Sequence, residues 1–112
     1  MFATVWTYKV RPGKRDQFVE IYGAEGKWAS LFRQQEGFIR TDLFEDLAQE
    51  GHFMSADLWR TRSDYEKFQE TYGGTYEELD RQCAALSEQS HYGFLDDVSE
   101  CAPLVFKPKP SA

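Results

Sequence analysis

Apolar and polar positions alternate, then step by threes and fours, then alternate again, and these changes of period divide the chain into elements. Residues 2–10 (FATVWTYKV) are β-branched and aromatic and halt at Arg11-Pro12-Gly13, which predicts a strand closed by a turn. From Lys14 the period changes. Phe18, Ile21, Tyr22, Trp28, Leu31 and Phe32 recur at helical spacing with charges between them. Gly23 and Gly26 interrupt that pattern, so the helix is expected to break or kink around 23–26, and Gly37 is expected to act as a helix stop. Residues 38–45 (FIRTDLFE) and 52–60 (HFMSADLWR) read as two strands joined as a hairpin through the polar stretch 46–51. Ser63 followed by Glu66 has the form of a capping box. The helix it would open carries Tyr65, Phe68, Tyr72, Tyr76, Leu79, Cys83 and Leu86 as one stripe, weakened at Gly73-Gly74. Residues 90–98 (SHYGFLDDV) read as a fourth strand.

The order β-α-β-β-α-β predicts an α+β, ferredoxin-like fold: a four-stranded antiparallel sheet with both helices on one side. Residues 1–98 form the domain and 99–112, with three prolines and little pattern, a tail. Strand alternation then sorts the sheet into two faces. Ala3, Val5, Ile39, Thr41, Leu43, Met54, Ala56 and Leu58 suit packing beneath helices. Phe2, Trp6, Tyr8, Val10, Phe38, Arg40, Asp42, Phe44, Phe53, Ser55, Asp57 and Trp59 are expected on the opposite face. So many rings would not face water, and two sheets closing face to face into a dimeric α+β barrel would cover them.

Composition narrows the partners. At 112 residues the chain holds one core, and its three Trp, six Tyr and nine Phe exceed what a small core needs, which favours a cavity or an interface. A net charge of -6 with scattered basic residues argues against nucleic acid. No apolar run approaches the ~20 residues that span a bilayer, and no leader pattern precedes the first strand, so a cytoplasmic location without membrane contact is expected. Cys83 falls on the helical stripe and reads as a buried small hydrophobe; Cys101 reads as a free thiol in the tail. Two separated histidines and two separated cysteines suggest no metal site.

The segments KVRPGKRDQF, YGAEGKWASLF, EGFIRTDLFED and ADLWRTRSDYEKF, followed by YEELDRQCAALSEQ and YGF, resemble the antibiotic biosynthesis monooxygenase superfamily over about residues 1–97. That resemblance implies a homodimeric α+β barrel and, for some members, oxidation of quinols or polyketide anthrones by dioxygen without a cofactor. Heme-degrading relatives use a first-strand Asn and a second-helix His. This chain contains no Asn, and its histidines are His52 and His91, so heme degradation is not expected. The missing Asn also separates the chain from the anthrone-oxidising site.

Cofactor-free oxygenation needs an apolar slot, a base that deprotonates an electron-rich substrate, and a donor facing the developing anion. The expected ring face offers Trp6, Phe44, Phe53 and Trp59 as the slot, Asp57 as the base if burial raises its pKa, Arg40 and Tyr8 as anion stabilisers, and His91 at the cleft mouth. A plainer reading makes Asp57 and Arg40 a buried ion pair on adjacent strands, Trp59 a packing residue and Trp28 a filler of the space beside the helical glycines. Three functions follow: a monooxygenase of a small aromatic, a non-catalytic dimer that binds such a molecule, or a structural dimer without ligand.

Overall fold

The computed structural model describes residues 1–98. The tail, with Cys101 and the Leu104-Val105-Phe106 segment, lies outside the described residues. The elements run β1 (Phe2–Val10), α1 (Arg15–Tyr22), α2 (Lys27–Phe32), β2 (Phe38–Glu45), β3 (His52–Trp59), α3 (Arg62–Cys83) and β4 (Ser87–Asp96). The four strands form one antiparallel sheet in the order β2-β3-β1-β4, the ferredoxin-like arrangement expected from the element order.

The break expected near 23–26 separates α1 from α2, and its cause is steric. A side chain at Gly26 would place its first carbon 2.2 Å from the Ile21 carbonyl oxygen, so only glycine lets α2 start this close to the end of α1. Gly37 adopts φ +104, and a Cβ there would overlap the Asp64 side chain at 2.3 Å. It therefore fixes how the turn before β2 meets the start of α3.

Two boundaries differ from expectation. The cap of α3 is Thr61, whose Oγ1 accepts from the Asp64 amide at 3.1 Å, and not Ser63. The same Thr-x-x-acid spacing exists two residues earlier, and extended backbone at Thr61 (φ -142, ψ 159) selects that frame. β4 begins at Ser87 rather than 90, because β1 supplies pairing partners along its whole length, from Phe2↔Asp96 to Val10↔Ser87.

The larger correction concerns the faces. Phe2, Tyr8, Phe53 and Trp59 lie under the helices, where they form the core with Phe18, Trp28, Phe32 and Phe68. Trp59 is fully enclosed. Its ring meets Phe32 at 5.7 Å, Phe38 at 5.2 Å and Phe68 at 5.4 Å. Rings from the helices, Phe18, Trp28, Phe32 and Phe68, pack onto rings from the strands, so the large side chains and not the small aliphatics take the covered face. On β2 the expected alternation also fails, because the register slips between Phe38 and Arg40 and leaves Ile39 as an extra residue. Phe38 and Thr41 thus share the covered side, whereas Arg40 is paired beside Leu58 on the open side. The open face carries Val5, Ala56 and Leu58 with the exposed Phe44 and Met54.

Candidate functional site

Register builds the site in rows. Thr4 and Thr41 stand directly opposite Asp57 on the two strands flanking β3, so three polar side chains cross the covered face in line. Thr41 Oγ1 donates to Asp57 Oδ1 at 2.7 Å and Thr4 Oγ1 approaches Oδ2 at 3.4 Å. Asp57 is 6 % exposed. Burial pushes its pKa up from 3.8 to about 6, against the opposing pull of the Thr41 and Thr4 hydroxyls. Two hydroxyls therefore hold a carboxylate that a dry environment disfavours, which is the setting of a group able to take or return a proton near neutrality.

The next row adds Ser55, opposite Trp6. Tyr8, one step further along β1, places its OH 2.8 Å from Ser55 Oγ. Burial raises the Tyr8 pKa well above its ordinary value, so the phenol stays protonated as a donor. Above these strands the helices close a narrow cleft. Tyr22 of α1, Trp28 and Phe32 of α2 and Tyr76 of α3 wall it, with Tyr8–Tyr22 ring centroids 5.1 Å apart and Trp28–Tyr76 5.0 Å. Asp80, one turn beyond Tyr76, and Gln89 of β4 complete the lining, and Gln89 Nε2 donates to Asp80 Oδ1 at 3.0 Å, tying α3 to β4. The cleft encloses about 350 Å³ including its open mouth. It is a slot.

Of the residues expected to act together, the structure brings Asp57, Tyr8 and Trp6 to one cleft. Arg40 is not among them. It lies on the opposite face, exposed, with Nε 3.0 Å from Asp42 Oδ1, so neither an Arg40–Asp57 ion pair nor a joint role at one anion matches the geometry. The bulge at Ile39 is the reason. Phe44 is 57 % exposed on that same open face, remote from the slot it was expected to line. Phe53 is buried against Phe18 at 4.9 Å, and Trp59 packs in the core beside Phe32. His91 meets the Trp6 ring at 4.7 Å in a tilted contact and is not among the residues lining the cleft.

Sequence reasoning placed Thr41 beneath the helices and Ser55 beside Asp57, but gave neither a role, because alternation does not show that Thr41 pairs opposite Asp57 or that Ser55 meets the Tyr8 hydroxyl. It missed Asp80 although the signal was present: four residues after Tyr76, it shares that helix face. Tyr22, Trp28 and Tyr76 were legible as an apolar stripe, but periodicity does not tell a packed ring from one facing a cavity.

Comparison with known proteins agrees with this architecture. A family model described as antibiotic biosynthesis monooxygenase matches residues 1–73. A search of curated proteins found no match. Among solved structures, a variant of SnoaB, a cofactor-independent oxygenase from Streptomyces nogalater, superposes with a TM-score of 0.71 at 18% identity, over 87% of this chain and 92% of that one. Unsubstituted SnoaB gives a TM-score of 0.69 at 19% identity, over 86% and 91%. PA3566 from Pseudomonas aeruginosa gives 0.61 at 19% identity, over 87% and 93%. At such identities the structures establish the shared fold, while the family assignment rests on the matched sequence span. The chain belongs to the antibiotic biosynthesis monooxygenase family.

Proposed function

We propose that the protein is a cofactor-independent monooxygenase of a small hydroxylated aromatic, of quinol or anthrone type, working as a homodimer. The observation that carries this reading is Asp57: a buried carboxyl tuned to about pH 6, on the floor of an aromatic slot. In the proposed cycle Asp57 removes a proton from the substrate, and the resulting carbanion passes one electron to dioxygen. The radical and superoxide combine into a C–O–O⁻ group, which takes the first proton back from Asp57. Loss of the remaining C–H proton as the O–O bond breaks forms C=O and expels hydroxide, and that proton and the hydroxide leave as water, so the net change is CH₂ plus O₂ to C=O plus H₂O. Tyr8 donates towards the developing substrate oxyanion, and Trp6 with Trp28 confines the ring. The open sheet face, with the exposed Met54 and Phe44, supplies the surface through which two subunits close.

Oxygen uptake and quinone formation with hydroquinones and hydroxyanthrones, measured in chelator-treated buffer, test the proposal. Asp57→Asn should lower turnover by at least ~100-fold, while the near-ultraviolet spectrum stays that of the folded protein. Full activity in that variant removes Asp57 as base. A second reading, a non-catalytic dimer that binds small aromatics, has its own support: among the described residues no Lys, Arg or His lines the slot to offset a substrate anion. Tight aromatic binding without oxygen uptake across the panel would favour it.

A further inference from the structure

The slot combines two features that together select a ligand by charge. Its walls are the faces and edges of aromatic rings, and its ionisable groups other than tyrosine are the carboxyls of Asp57 and Asp80; among the described residues none of those lining it is basic. Of the basic side chains adjacent in sequence to lining residues, Arg40 pairs with Asp42 on the open face, and Arg33 and Arg81 pair with Glu25 and Glu78 on the surface. Two carboxyls thus stand among aromatic rings without a basic partner in the lining.

We propose that the slot takes a substrate bearing a positively charged nitrogen, an aromatic with a short ammonium arm, with Asp80 at the mouth as its counter-charge and the rings of Tyr22, Trp28 and Tyr76 beneath it. An ammonium group over such rings is held by their quadrupoles, and more strongly where water is excluded. Asp80 is half-buried, with one oxygen engaged by the Gln89 amide. An entering ammonium replaces a neutral donor with a charged one at the same carboxyl.

The inference rests on the oxygenase reading and answers a difficulty in it. Proton transfer from substrate to Asp57 leaves the total charge of that pair unchanged, at minus one, and Asp80 adds a second acidic group. The superoxide formed next is also an anion. Without a basic residue in the lining, charge balance must come from the substrate, and an ammonium arm provides it.

A series sharing one ring and differing in charge tests this directly: tyramine, 4-ethylphenol and 3-(4-hydroxyphenyl)propionate, titrated at pH 7.5 against intrinsic tryptophan fluorescence and by calorimetry. Tyramine is expected to bind at least ~10-fold tighter than 4-ethylphenol, and the propionate weakest. Asp80→Asn, a rim substitution that leaves the core intact, should remove most of tyramine's advantage over 4-ethylphenol. Equal affinities, a preference for the propionate, absence of binding by all three, or an unchanged preference in Asp80→Asn would each overturn the proposal. The oxygenase reading fails or stands on oxygen uptake by hydroxyaromatics, a separate measurement, so the two failures are distinguishable.

Discussion

The two faces of the sheet use the same residue classes to opposite ends. On the covered face the carboxyl and hydroxyls are buried and matched, Asp57 to Thr41 and Thr4 and Tyr8 to Ser55, while the Trp59 and Trp28 indole N–H groups have no hydrogen-bond partner among the described residues. On the open face the polar groups are exposed, as in the Arg40–Asp42 pair, and the large apolar side chains Phe44 and Met54 are exposed too. A buried carboxylate bonded by hydroxyls has its proton affinity reset by its surroundings. An exposed ion pair is screened by water and changes little. That difference is the basis for proposing chemistry under the helices and association on the open side.

The largest test of that contrast is packing. Trp59→Ala, on the covered face, should cost about 3–5 kcal/mol, because the cavity left between Phe32, Phe38 and Phe68 has rigid walls. Met54→Ala on the open face should cost the isolated subunit far less. Denaturant midpoints of the two variants check this, and similar losses would mean that the faces are not distinguished as described.

Acid sensitivity is the second test. Asp57 has a folded-state pKa near 6 against about 3.9 in an unfolded chain, so the folded state holds its proton more tightly. The stability linked to that proton is fully present below about pH 4 and is lost as pH rises through 6. The loss is on the order of 3 kcal/mol. Asp57→Asn should therefore stabilise the protein at pH 7.5 relative to wild type and show no such gain at pH 4. Equal effects at both pH values would contradict the buried, hydroxyl-only environment. Activity should move the other way, rising as pH passes 6 and the base ionises.

How much of this was legible follows from the kind of signal each feature leaves. Turn residues and changes of period mark elements, so β1, the interrupted first helix, the β2–β3 hairpin and the fold class could be read. Alternation shows that a strand has two faces but not which one the helices cover. Trp59 looked like an interface ring for that reason, and Thr41 was placed on the opposite face from the Asp57 it bonds. The bulge at Ile39 leaves no turn residue behind, yet it moves Arg40 and Phe44 to the far side. Asp57, Tyr8 and Trp6 were found together because they lie on regular stretches of β1 and β3, where counting by twos holds.

Association is the third test. Phe44→Asp puts a carboxylate on the open face without disturbing any covered residue. The subunit should remain folded, while dimers weaken by at least roughly 30-fold, since a charge buried without a partner in an interface costs several kcal/mol. Sedimentation velocity across a concentration series reads the change, with circular dichroism as the folding control. A wild-type protein that is already monomeric at high concentration would remove the proposed role of this face.

The smallest expected effect is the most discriminating for the site. Arg40 lies on the second strand close to residues of the slot in sequence, and the unbulged pattern would have aimed it at Asp57. In the fold it meets Asp42 at 3.0 Å, more than half exposed. Such a pair contributes little, so Arg40→Ala should change stability by no more than about 0.5 kcal/mol. Its effect on oxygen uptake by a found substrate should be smaller still, because the sheet itself separates Arg40 from the slot. A tenfold loss of turnover with stability preserved would show that the open face reaches the reacting atoms, and with that the division of labour between the two faces would fail.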